Sequence, residues 1–305
     1  MSKILFFGGK GGVGKTSCSS AFAVKRASEG HKVLLVSTDP AHSTSDLFER
    51  KIGPKIVPLR DNLDALEIDP QKEADDYIKM IKGNMSQIVS PIILDEMNQQ
   101  LDAARVSPGS HESALFDKMI EIINKTSADY DYIIFDTAPT GHTVRLLSLP
   151  EMLGAWMDTL LRKRRKTMAL KRMVDRAKGK ESEQDPIIKI LMRRKENLEK
   201  ARHIMMDEKS LSFVFVMNAE RLPIEETKKA VKLLKKYQIP VQSLVVNRIL
   251  PESKDEFWKN KKLSETKYLE EINESFDVSH IYKIPMFQSD MKASSIDQMA
   301  DYFRK

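Results

Sequence analysis

A chain of 305 residues with 41% apolar side chains and a net charge of +6 has ample material for a full core. Its mean hydropathy is −0.40, and its longest apolar runs, such as 213–217, are far too short to cross a bilayer. A single cysteine, Cys18, excludes an intrachain disulfide and a cysteine-based zinc site within one chain, and no leader-like segment precedes the first strand, so a cytoplasmic protein is expected.

The apolar run Ile4, Leu5, Phe6 and Phe7 predicts a first strand over residues 3–8. Directly behind it, Gly9, Lys10, Gly11, Gly12, Val13, Gly14, Lys15 and Thr16 fit the phosphate-cradling pattern G-x-x-x-x-G-K-[ST]. Glycines let successive backbone N–H groups turn inward on phosphates, Lys15 offers a point charge to the β- and γ-phosphates, and the Thr16 hydroxyl suits Mg²⁺. The candidate nucleotide-binding set runs from Gly9 through Thr16 to Ser17, and ATP with Mg²⁺ is the implied ligand. A helix follows over 14–29, where Ala21, Ala23, Val24 and Ala27 form an apolar stripe and Gly30 marks the stop. Cys18, on that helix, reads as a small buried thiol.

The second strand, 32–38, leads into Ser37, Thr38, Asp39, Pro40, Ala41 and His42. A carboxylate at a strand end beside a phosphate loop can orient the attacking water, and Pro40 fixes the turn after Asp39. Further strands are predicted at 63–68, 131–136, 212–217, 241–247 and 280–284, with helices at 112–125, 224–237, 255–276 and 290–303. Asp136 ends the 131–136 strand, a place suited to holding Mg²⁺ directly or through water. Gly141 leaves the loop after it free to move. Short apolar strands alternating with helices imply an α/β architecture of the P-loop NTPase type, with a mainly parallel sheet flanked by helices. No internal repeat is present, so a single ATPase domain over 1–305 is expected.

Residues 70–106 and 151–208 break the alternation: both are long, helical by pattern and free of strand signals. They read as insertions forming a helical subdomain, and ten of the sixteen methionines fall in them. Methionine at helical spacing serves either as core or as an adaptable apolar groove, and it specifies a core poorly. The span 162–209 carries seventeen Lys/Arg and eight Asp/Glu, so the rest of the chain is net acidic. A solvated face, anionic lipid or an acidic partner each fit that excess. No aromatic residue interrupts its densest part, 162–166, so nucleic acid is not an expected partner.

Lys10 makes the loop resemble a deviant form of the P-loop found in ATPases that pair face to face, in which the added lysine enters the partner's active site; the other reading is a solvated lysine on a turn. Together with 37–46 and the segment Asp136, Thr137, Ala138, Pro139, Thr140, Gly141, His142, Thr143, Val144 and Arg145, it closely resembles the arsenite-pump and tail-anchored-protein targeting ATPases, the ArsA/Get/TRC group. Val246, Asn247, Arg248, Ile249, Leu250 and Pro251 agree with it, as does the stretch from Phe257 through Tyr268 to Ile272. The resemblance spans nearly the whole chain. It implies that Asp39 positions the catalytic water, that Thr16 and Asp136 serve Mg²⁺, that Lys10 acts across a homodimer, and that Asn247 reads the adenine. The loops at 39–46 and 136–145 would be the two switches. Of the family's clients, arsenite wants about three thiolates, whereas this chain offers Cys18 alone, so a hydrophobic transmembrane helix and a membrane receptor or insertase are the expected partners. Many targeting members carry a Cys-x-x-Cys pair that binds zinc between protomers; this chain has none, which leaves a dimer held by apolar contacts or closed by nucleotide. A ParA/MinD-like positioning ATPase is the rival outside the family. An electron carrier with the same loop lacks its cluster cysteines here.

Overall fold

A computed structural model describes residues 2–38, 43–69, 110–137, 209–289 and 292–304, with scattered single residues within 71–82 and 158–207. Eight strands form one sheet: β1 (Lys3–Gly8), β2 (Val33–Ser37), β3 (Val57–Arg60), β4 (Leu63–Glu67), β5 (Tyr132–Asp136), β6 (Leu211–Asn218), β7 (Val241–Ile249) and β8 (His280–Pro285), in the spatial order β3-β4-β2-β5-β1-β6-β7-β8. Every pairing is parallel except the antiparallel edge pair β3–β4. The helices are α1 (Lys15–Ser28), α2 (Ser43–Leu47), α3 (Ser110–Thr126), α4 (Arg221–Lys236), α5 (Glu256–Ser275) and α6 (Ala293–Ala300), the last followed by a 3₁₀ turn at Asp301–Phe303.

Alternation along the central strands divides the core in two. Ile4, Phe6, Ile133, Phe135, Phe213 and Phe215 point to the face covered by α3, α4 and α5, where Phe6 and Phe135 stack with centroids 4.8 Å apart. Phe7, Val33, Leu35, Ile134, Val214 and Val216 point to the other face, under α1 and α6. Burial on both faces explains why these strands read as continuous apolar runs rather than alternating ones. The chain runs from β1 outward to β2, returns through β5 and then crosses to β6 on β1's other side. The direction of winding thus reverses around β1, and ligands of open α/β sheets bind beyond the strands' carboxyl ends at such a reversal.

All seven expected strands are present. Two elements were not legible in the sequence. β3 is a half-exposed edge strand of four residues with Pro58 inside it and a register shift beside it, a position where proline is tolerated but where the apolar signal is too thin to read. α2 is a single short turn of helix whose Ser45 is held by Glu67, with both its N–H and its hydroxyl 2.9 Å from that carboxylate. The expected last helix, 290–303, is shorter and ends in the 3₁₀ turn.

Candidate nucleotide-binding site

Sheet geometry decides where the glycine loop can lie. A side chain at Gly9 would meet the Val216 carbonyl oxygen of β6 at 2.2 Å, so only glycine lets the chain leave β1 this close to its neighbour. Gly14, which opens α1, has φ +90° in the left-handed region, and a Cβ there would fall 2.4 Å from the Asn247 amide nitrogen. The loop between them is open: among the described residues, nothing beyond the adjoining chain lies within 4 Å of an added Cβ at Gly11 or Gly12. That leaves backbone room for an anion in front of the first turn of α1.

The loop's two lysines face different ways. Lys15 is 7% exposed, and its ammonium reaches back to the Lys10 carbonyl oxygen at 3.3 Å. The Lys10 ammonium points outward to Glu226 Oε1 on α4, at 3.3 Å. Beside it opens a cleft of about 740 Å³ lined by Lys10, Gly12, Arg221, Phe257, Lys261 and Tyr268 among others. Thr16 and Ser17, at the start of α1, are half-buried.

Asp136 ends β5 fully buried, in register with Phe7 of β1 and Ser37 of β2. Its backbone carbonyl accepts hydrogen bonds from the Thr38 N–H (2.9 Å) and hydroxyl (3.1 Å), while the Thr137 hydroxyl donates to the Phe7 carbonyl at 2.7 Å. These bonds tie the carboxyl ends of β2, β5 and β1 together beside the loop. Cys18 sits beneath, sealed from solvent; burial first, and then the Asp136 charge, push its thiol well above the usual range. Thr16 and Asp136 are hard oxygen donors, suited to Mg²⁺, which is bound by one or two protein oxygens together with phosphates and water. No group of three or more His, Cys, Asp or Glu able to hold a metal occurs among the described residues.

Asn247 performs a task that its sequence position did not announce. It is 4% exposed; its amide donates to the Val13 carbonyl at 2.9 Å, and its side-chain oxygen accepts the Arg248 N–H at 2.9 Å. It braces the glycine loop from β7. Glu226 was missed as a neighbour of the site, because nothing in its local sequence distinguishes it from a surface charge, and Arg248 was read only as part of the segment 246–251. Asp39 and residues 138–145 lie outside the described residues, as do most of the methionines of the two insertions. Of those methionines, Met192 is 42% exposed beside a charge-rich hollow, with its sulfur 3.9 Å from Arg165 and Lys195 paired to Asp158 at 2.7 Å nearby. No helix among the described residues is long and apolar enough to cross a membrane.

The family described as anion-transporting ATPase matches this chain over residues 2–304. The chain belongs to that family. It is an ATPase of the ArsA/GET3 type. It is similar to a putative arsenical pump-driving ATPase 2 of Aquifex aeolicus, 38% identical over 90% of this chain and 89% of the relative. It is also similar to ATPase ASNA1 homolog 2 of Paramecium tetraurelia, at 32% over 95% of this chain and 89% of the relative. ATPase GET3B of Arabidopsis thaliana is 34% identical over 91% of this chain and 72% of its own length.

Proposed function

We propose that this ATPase is a dimeric switch that shields the transmembrane segment of tail-anchored membrane proteins and delivers it to a membrane receptor or insertase. The observation that carries the choice of client is the state of Cys18. A soft metalloid ion needs about three thiolates, and the chain's one thiol is fully buried. A methionine-rich lining for an apolar helix requires no thiolate.

In this reading, residues 1–305 form one ATPase domain, and the insertions at about 70–106 and 151–208 supply the client groove. The backbone from Gly9 to Ser17 wraps the phosphates, Lys15 leaves the Lys10 carbonyl to meet the β- and γ-phosphates, and Thr16 with Asp136 would hold Mg²⁺, which neutralises charge between those phosphates. Asp39 orients the attacking water. Asn247, already against the loop, reads the adenine. Lys10 leaves Glu226 and enters the partner's site, a device of the arginine-finger kind, worth roughly 10³–10⁵ in rate. Loops 39–46 and 136–145 carry phosphate state to the groove. The protein works in the cytoplasm as a homodimer without a zinc clamp, and nucleic acid is not a partner.

Co-expression with a tail-anchored protein tests the reading: a soluble complex after ultracentrifugation is expected, and client found only in aggregates would contradict it. The name of the Aquifex relative favours metalloid-stimulated hydrolysis as a second reading. An arsenite titration of the ATPase rate separates the two, and a flat response is expected.

A further inference from the structure

β7 ends unlike its neighbours. Val246 pairs with Lys283 of β8, yet the next pair is Ile249 with Pro285, so three steps along β7 run opposite two along β8. One extra residue is lodged there, a β-bulge. Val246 and Ile249 both pack on the α3–α5 face, although strict alternation would send Ile249 to the opposite one. The bulge falls at Asn247 and Arg248, and the Asn247 amide meets the glycine loop on the α1 side. Arg248 adopts φ +58°, in the left-handed region, which is unfavourable for a residue other than glycine.

Bulges near active sites re-aim side chains, and strain of this kind persists where the surroundings enforce it. Here the Arg248 N–H is locked by Asn247 Oδ1 at 2.9 Å. The side chain is exposed, and no carboxylate pairs with it among the described residues. β7 lies two strands from β1 in the sheet, roughly 10 Å across. With the phosphates in the loop after β1, the base end of a nucleotide laid toward β7 comes to this bulge.

We propose that Arg248 is a nucleotide-contacting residue, its guanidinium plane lying against the base of the ATP whose phosphates occupy the glycine loop. The proposal rests on the nucleotide-site reading above and adds a residue to it. A planar, permanently charged guanidinium suits the π-face of a base in a way a lysine ammonium does not.

Calorimetric titration of the full chain with Mg·ADP and, separately, with Mg·tripolyphosphate tests it. Arg248→Ala and Arg248→Lys should each weaken ADP about five- to ten-fold and leave tripolyphosphate within about two-fold, while Lys254→Ala, an exposed charge away from the bulge, changes neither. Arg248→Gly should weaken ADP as much as alanine does while raising the melting temperature, because glycine relieves the backbone strain; that pairing rules out misfolding as the cause. ADP affinity kept within about two-fold in Arg248→Ala, full retention by Arg248→Lys, or an equal loss for tripolyphosphate would overturn the proposal. A wild-type chain that binds neither ligand removes the nucleotide site itself, a separate result.

Discussion

The carboxyl ends of β1 and β7 both bring residues to the crevice beyond the sheet, but by opposite means. β1 gives way to glycines, so the left-handed turn at Gly14 and the 2.2 Å approach at Gly9 carry no side-chain penalty. β7 instead inserts a residue, and Arg248 holds a left-handed conformation that glycine would adopt more cheaply. Asn247 joins the two ends, taking Val13 from one and Arg248 from the other. The glycine loop can be open because its bracing is supplied by a strand two places away.

Substitutions on each side should break this pairing to different degrees. Lys15→Ala has the largest expected effect, a fall in ATPase rate of about 10²–10³, or about 3–4 kcal/mol, since the one ammonium inside the loop is lost. Steady-state phosphate release reads it directly. Gly14→Ala comes next: the left-handed φ and the contact with Asn247 should lower stability by about 2 kcal/mol in urea unfolding. Should that variant unfold like wild type, the loop is not clamped as described. Asn247→Ala should lower stability by about 1–2 kcal/mol, because the Val13 carbonyl and the Arg248 N–H lose a buried partner. The smallest expected effect is a gain of about 1 kcal/mol in Arg248→Gly, and a loss there would mean that the arginine side chain stabilises the fold.

The same contrast explains what the sequence revealed. The turn after β1 was legible in its glycines, because the close approach at Gly9 and the left-handed φ at Gly14 exclude a side chain. Asp136 was legible as a carboxylate after a fully apolar strand. The sheet followed from the alternation of apolar runs with amphipathic helices, apart from β3, whose proline and half-exposed edge leave no apolar signature. At β7 the sequence pointed to Asn247 only through a family resemblance, and its bracing role depends on a bulge that no spacing rule announces. The Lys10–Glu226 pair was hidden for a similar reason, since it joins residues far apart in the chain through the packing of α4 beside the loop.

Lys10 is where the account is most exposed, because it assigns this residue to the neighbouring subunit's chemistry. Mixing Lys10→Ala chains with Asp39→Asn chains tests that directly, since each variant alone lacks one group at both of its sites. If Lys10 works across the dimer, a mixed dimer regains one complete site, and the mixture should recover about a quarter of the wild-type ATPase rate. A mixture that stays as inactive as its two components, with mixed dimers demonstrably formed, would contradict the account.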